Sequence, residues 1–174
     1  MGNSSCVHQG GDDAMFQPKR ASPAVVSLSL YSFGPLGQVA NTLLRPLGTG
    51  AYHCGVEVYD CEWSFGNIFM AGGGKMPDEF TGIFTCMPQA CDGHTFYKSV
   101  PMGHTYVSQQ GVMVLIHAME ASWKSCCYDV VTRNCCHFCN EFCRRLGVGP
   151  IPPWLLNLAN AGAAMKTAGT AVCC

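Results

Sequence analysis

A chain of 174 residues, 48% hydrophobic and only 12% charged, is the right size for one folded domain with a real hydrophobic core. Its net charge is -1, and Lys19-Arg20 and Arg144-Arg145 are its only adjacent basic pairs; this argues against nucleic-acid binding, which needs clustered positive charge. The 13 cysteines follow an N-terminus with neither a basic n-region nor an apolar h-region, so they are expected to be free thiols in a reducing, cytoplasmic setting.

Residues 1–23 are rich in Gly, Ser, Gln and Asp, with Pro18 and Pro23 as breakers, and read as a flexible arm. The first strand is expected at Val25–Tyr31, where VVSLSLY alternates. Residues 33–50 form a long connection broken by Pro35 and Pro46, with room for a short helix over Val39–Leu44. AYHCGVEVYD, Ala51–Asp60, is the clearest strand. Tyr52, Cys54, Val56 and Val58 share one face; His53, Gly55, Glu57 and Tyr59 share the other. CEWSFG pairs with it after a tight turn near Asp60. A Gly-rich loop over 66–82 precedes two further strands, Thr81–Met87 and His94–Val100.

Helix signals dominate the last third. Ser108 caps a predicted helix running to about Lys124, with Val112, Leu115, Ile116, Met119 and Trp123 as its buried stripe. A second helix begins at Cys135 and stops near Gly147, with Cys135, Phe138, Cys139, Phe142 and Leu146 on its buried side. A third follows Pro152-Pro153, since proline suits a first helical turn. The apolar stretches Val112–Met119 and Trp154–Met165 fall short of the roughly 20 residues of a membrane span. Strands first and helices later indicate an α+β domain.

Cys135 opens a helix, with Asn134 as its expected N-cap. That position favours a thiolate, because unpaired N–H groups and the helix dipole stabilise negative charge. The same N–H groups are candidates for an oxyanion hole. A nearby imidazole would supply general base and acid. His137 lies two positions along the helix and points away from Cys135. His117 shares an exposed face with Glu120 and Lys124, and His8 lies in the arm. His94 and His104 flank a strand as loop residues. His53 stands on the clearest strand, where a lone histidine is more commonly a satisfied polar group than a base.

GAYHCGVEVYDCEWSFG, TGIF, TRNCCHFCNEFCRRLG and IPPWLLNLA, in that order, closely resemble the PPPDE family of permuted papain-fold peptidases, which includes the DeSI-type isopeptidases. Tyr52-His53 and Glu62-Trp63-Ser64-Phe65-Gly66 carry the first signature. Asn134-Cys135-Cys136-His137-Phe138 carries the second, with Cys136 where the family usually has asparagine. The resemblance implies a permuted papain-like fold, a small antiparallel sheet or barrel packed with helices, over residues 24–162, followed by a tail over 163–174. It implies a Cys-His dyad, with Cys135 as nucleophile and His53 as base. No third residue is assigned to orient His53, and Cys136 is the competing nucleophile. The implied substrate is an isopeptide bond to ubiquitin or a ubiquitin-like protein such as SUMO. Protein depalmitoylation by the same dyad is the alternative, and an inactive lipid-anchored adaptor is the non-enzymatic one.

No cofactor is expected. Cys135, Cys136, His137, Cys139 and Cys143 are the rival zinc ligands, but they sit on one helix without separated CxxC pairs. Gly72–Lys75 only superficially suggests a phosphate loop, because Met76 stands where a Ser or Thr belongs. Trp154 is expected as a core or groove-wall aromatic. Met1-Gly2 begins a potential myristoylation site, imperfect because Cys6 replaces the usual Ser/Thr. Lipid on Gly2 and Cys6, or on Cys173 and Cys174, would bring the protein to a membrane surface.

Overall fold

Strands β1 (Ala24–Ser32), β2 (Tyr52–Val58), β3 (Cys61–Phe65), β4 (Ile83–Cys86) and β5 (Thr95–Thr105) form one antiparallel sheet, ordered β4-β3-β2-β1-β5. Helices α1 (Gln109–Glu120) and α2 (Cys135–Arg145) follow, completing an α+β architecture. These elements belong to a computed structural model that describes residues 22–32, 52–67, 77 and 79–156. The expected arm before residue 22, the connection 33–50 with its short helix, Ala51, most of the Gly-rich loop and the tail lie outside the described residues. So do Gly2, Cys6, Cys173 and Cys174.

β2 and β3 are joined by a two-residue turn, since Val58 pairs with Cys61. Tyr59 and Asp60 both take positive φ, 52° and 59°, as a type I′ turn requires. Tyr59 is held there by its hydroxyl, which donates to the Val107 carbonyl at 2.7 Å. The tight turn fixes the register and so decides which β3 residues face His53.

Val26, Leu28 and Leu30 of β1 and Cys54, Val56 and Val58 of β2 are all buried on one face, and α2 packs over β2 and β3. The predicted stripe of α2 is buried as expected, and Cys136 and Cys143 join it. The other face of β2 is not a solvent face. His53 is 5% exposed, and Glu62 opposite Glu57 is fully buried. The β4–β5 connection covers this side, where the Gln89 N–H donates to Glu62 Oε2 at 2.9 Å.

β1 is one residue longer at each end than expected and β4 shorter, and two boundaries move further. β5 runs to Thr105 rather than Val100, through Pro101 and Gly103. It is an edge strand paired only with β1, a sheet position that tolerates proline. Register shifts at Val26/Ser27 and Leu30/Tyr31 absorb its extra residues as bulges. His104 is therefore an exposed strand residue, not a loop residue. α1 stops at Glu120, not Lys124, because the chain beyond it pairs with another segment. Gly82 N–H donates to the Trp123 carbonyl at 2.8 Å, and Ser125 N–H to the Phe80 carbonyl at 3.0 Å. Trp123 stays buried, against Phe65 and Phe138 at ring separations of 4.8 and 5.4 Å.

α2 ends as a Schellman motif. Gly147 at φ +80° donates to the Arg144 carbonyl, and Val148 to that of Cys143. Trp154, Leu155 and Leu156 are helical after the two prolines, and the rest of that predicted helix lies outside the described residues. Among the described residues, no helix is long and apolar enough to cross a membrane.

Candidate functional site

Cys135 is presented by a turn and a cap. Asp129 and Arg133 exchange both backbone hydrogen bonds at 3.0 Å, closing the loop that leads into α2. Asn134 then takes the N-cap position. Its Oδ1 accepts from the N–H groups of Cys136 at 3.0 Å and His137 at 3.2 Å. His137 Nδ1 accepts in return from the Asn134 N–H at 3.3 Å, a capping box with histidine in the usual Glu/Gln place. His137 thus faces its own helix start. The cap occupies the N–H groups of Cys136 and His137, so the expected oxyanion hole narrows. The Cys135 N–H is the first-turn donor that the Asn134 side chain leaves alone.

The start of β2 faces this helix end: Cys135 Sγ lies 3.9 Å from the Tyr52 carbonyl. The His53 ring lies between Phe84 and His94, with centroid separations of 6.1 and 4.3 Å. Its Nε2 sits 3.0 Å from Ser64 Oγ, and that hydroxyl donates its own proton to the Cys54 carbonyl at 2.7 Å. Ser64 can therefore only accept from Nε2–H. This fixes the neutral tautomer and leaves Nδ1 as the basic nitrogen. Ser64 is the orienting residue that motif reading missed. The hairpin register contains it, because Val56 opposite Trp63 brings Ser64 across from Gly55, on the His53 side of the sheet.

The thiols of Cys135 and Cys91 act on the His53 imidazole and favour its protonated form. Burial would push His53 down, but these thiols outweigh it and raise the imidazole to about 10. Cys135 moves the opposite way. The neighbouring Cys136 and Cys54 thiols, then His53, hold it well below the ordinary thiol range despite burial. Cys136 and Cys54 are pushed up, and their sulfurs lie 3.4 Å apart. Of the two adjacent thiols at the helix start, Cys135 is the one whose surroundings favour the anion.

The rival zinc set on α2 does not converge. His137 caps the helix, and Cys139 Sγ donates to the Cys54 carbonyl at 3.4 Å. Cys139 and Cys143 are driven to about 12 by burial. The groups that do converge are Cys54, Cys135 and Cys136, and separately His53, Cys91 and His94. His94 is a loop residue, as expected, but its stacking on His53 was not foreseen. Trp154 packs edge-on to Tyr52 at 6.0 Å, and Tyr52 stacks on Tyr97 at 5.7 Å, giving an aromatic wall beside Cys135.

Residues 24–172 match the family model described as "PPPDE putative peptidase domain". The chain belongs to the PPPDE peptidase family. Over 162 residues it is 27% identical to a DeSI-like protein of Arabidopsis thaliana, covering 93% of this chain and 66% of that protein. It is 31% identical over 140 residues to the desumoylating isopeptidase 1 homolog of Caenorhabditis elegans, covering 78% of this chain but only 38% of the relative. A DeSI-like protein of Schizosaccharomyces pombe is 27% identical over 143 residues, covering 82% of this chain and 67% of its own length. The chain thus spans about two thirds of the plant and yeast relatives and much less of the nematode one. PPPDE membership makes it a member of a peptidase family with isopeptidase relatives.

Proposed function

We propose that the protein is a cysteine isopeptidase in which Cys135 attacks and His53 moves the proton, releasing ubiquitin or a ubiquitin-like modifier such as SUMO from its conjugates. One observation carries this reading: at the capped start of α2 the Cys135 thiol is held down and the His53 imidazole, oriented by Ser64, is held up, each in part by the other. The thiolate would add to the isopeptide carbonyl carbon, with the Cys135 N–H facing the developing oxyanion. The His53 imidazolium would protonate the departing lysine amine as the C–N bond breaks, leaving a thioester. Neutral His53 would then take a proton from water as it attacks, and thioester cleavage returns Cys135. The modifier class is supported by the name of the nematode relative, and a reducing compartment by the described cysteines, all free thiols. The test is a panel of ubiquitin and SUMO C-terminal electrophile probes beside a soluble acyl-thioester reporter. Covalent capture by a modifier probe at Cys135 is expected. Fast thioester turnover without capture would replace the isopeptidase with a depalmitoylase, and silence in both assays from folded protein would leave the adaptor.

Ser64 gives a second check. Ser64→Ala strands the buried Nε2–H, and a loss of about 1–3 kcal/mol at the base would lower turnover roughly 5–150-fold. The loss should fall on kcat rather than KM, and Ser64→Thr, which keeps the hydroxyl, should restore part of it. Unchanged kcat in a folded Ser64→Ala protein would remove Ser64 from any positioning role.

A further inference from the structure

We propose that Cys91, His94 and His53 form a binding site for a zinc-class divalent ion, and that the ion switches the hydrolase off by taking the His53 nitrogen that serves Cys135. The off-switch rests on the proposed dyad; the site itself does not.

Cys91 and His94 are the ends of a four-residue turn, closed by the His94 N–H donating to the Cys91 carbonyl at 3.3 Å. Gly93, third in the turn, takes φ +75°, which places glycine where a type II turn needs it. The turn holds the two side chains of a Cys-x-x-His pair together, and His53 faces them from the central strand β2. One ligand atom from each residue lies within 4.8 Å of the others. Tetrahedral zinc, with Zn–S about 2.3 Å and Zn–N about 2.0–2.1 Å, holds its ligands roughly 3.5 Å apart. Closing the site therefore takes a shift of about an ångström or more, together with opening of the His53–His94 ring stack. His94 is half-buried on a loop and can supply that movement, whereas His53 and Cys91 are buried and fixed.

The surroundings already orient the His53 ring as a metal ligand requires. Its Nε2 is held by Ser64 Oγ at 3.0 Å, and such an outer partner fixes the tautomer of a ligating histidine. His94 Nδ1 faces Cys91 Sγ at 3.6 Å, and it must leave the Asp92 carbonyl, 2.9 Å away, to bind the ion. The connection carrying the turn is anchored by the Gln89 N–H on Glu62, with Gln89 at φ +63°, a conformation a non-glycine residue keeps only when its neighbours enforce it. One sulfur and two imidazoles suit zinc rather than magnesium or calcium. On binding, the Cys91 thiol loses its proton to solvent and the ion keeps its charge. With Nε2 committed to Ser64, the ion must use His53 Nδ1, so it competes directly with Cys135. The thiol group Cys54, Cys135 and Cys136 is buried and has no half-exposed ligand to admit an ion.

Cobalt(II) titrated into the full chain in reducing, non-chelating buffer tests the site. One equivalent should give a thiolate-to-cobalt absorption band that zinc displaces. Cys91→Ser should abolish the band, His94→Ala should weaken it, and Cys135→Ser and Cys54→Ser should keep it. Zinc should inhibit hydrolysis, and His94→Ala should raise the half-inhibitory concentration about 10–100-fold relative to that variant's own metal-free rate. His94→Ala keeps the test decisive if Cys91→Ser does not fold. No thiolate band, a band that survives Cys91→Ser and disappears in Cys54→Ser, or cobalt binding with zinc-insensitive hydrolysis would each overturn the proposal. If the chain hydrolyses no modifier conjugate, the cobalt spectra still decide the site, so the two readings fail separately.

Discussion

Cys135→Ala is expected to end modifier-probe capture and to lower turnover on the order of 10⁴-fold, with His53→Ala falling about as far, because members of one catalytic unit are lost together rather than additively. Cys136→Ala should keep substantial activity. Its thiol is pushed up and lies 3.4 Å from that of Cys54, so it serves Cys135 as a hydrogen-bond donor rather than as a second nucleophile. The pH dependence gives an independent readout. With Cys135 held well below the ordinary thiol range, its alkylation rate should be flat across neutral pH, where an ordinary cysteine still gains about tenfold per unit towards 8.5. The protonated imidazole persists up to about 10, so raising the pH through that value removes the general acid, and turnover should fall there. In His53→Ala the alkylation profile should move towards the ordinary thiol only part of the way, since the Cys136 and Cys54 thiols still favour the anion. A dead Cys136→Ala beside an active Cys135→Ala would move the nucleophile by one residue.

The strand of His53 and the helix of Cys135 were legible because each carries a local signal. AYHCGVEVYD alternates with period two, and Asn134 is a side chain that caps helices in any context. What stayed hidden depends on partners distant in sequence. His53 looked like an ordinary strand histidine because nothing local in the sequence shows what covers its face. That face is buried by Phe84, His94 and the connection after β4, none of which leaves a periodic trace. Ser64 is one small polar residue in a strand, and only the two-residue turn at Tyr59-Asp60 brings it to Nε2. Pro101 and Gly103 read as the end of a strand, yet an edge position with bulges carries β5 through both. Trp123 continued the apolar spacing of α1 beyond its end, because the residue is core even though backbone pairing with Gly82 and Phe80 has already broken the helix.

Gly55→Ala should be among the most destabilising single changes in the sheet, at about 2–6 kcal/mol, out of the roughly 5–15 kcal/mol a domain of this kind has. The cause is Glu62, not glycine's backbone freedom. A Cβ at residue 55 would fall on Glu62 Oε1 and lie 2.7 Å from its Cγ. Glu62 has nowhere to withdraw. It is fully buried, both its oxygens accept from the Tyr31 hydroxyl at 2.7 and 2.8 Å, and Oε2 also accepts from the Gln89 N–H. Burial and the Glu62 contact push the Tyr31 phenol up, so it stays protonated and able to donate. An alanine therefore adds overpacking, about 1–3 kcal/mol, to the loss of hydrogen bonds at a buried acceptor, about the same again. Urea unfolding would measure the shift, and a double-mutant cycle would assign it. In a Glu62→Ala background the added methyl enters vacated space, so Gly55→Ala should then cost little. The same cost in both backgrounds would mean that something other than Glu62 excludes a side chain at residue 55. Gly55→Ala protein that remains folded should also lose activity, because Glu62 ties down Gln89 and, through it, the connection that holds Cys91 and His94 against His53.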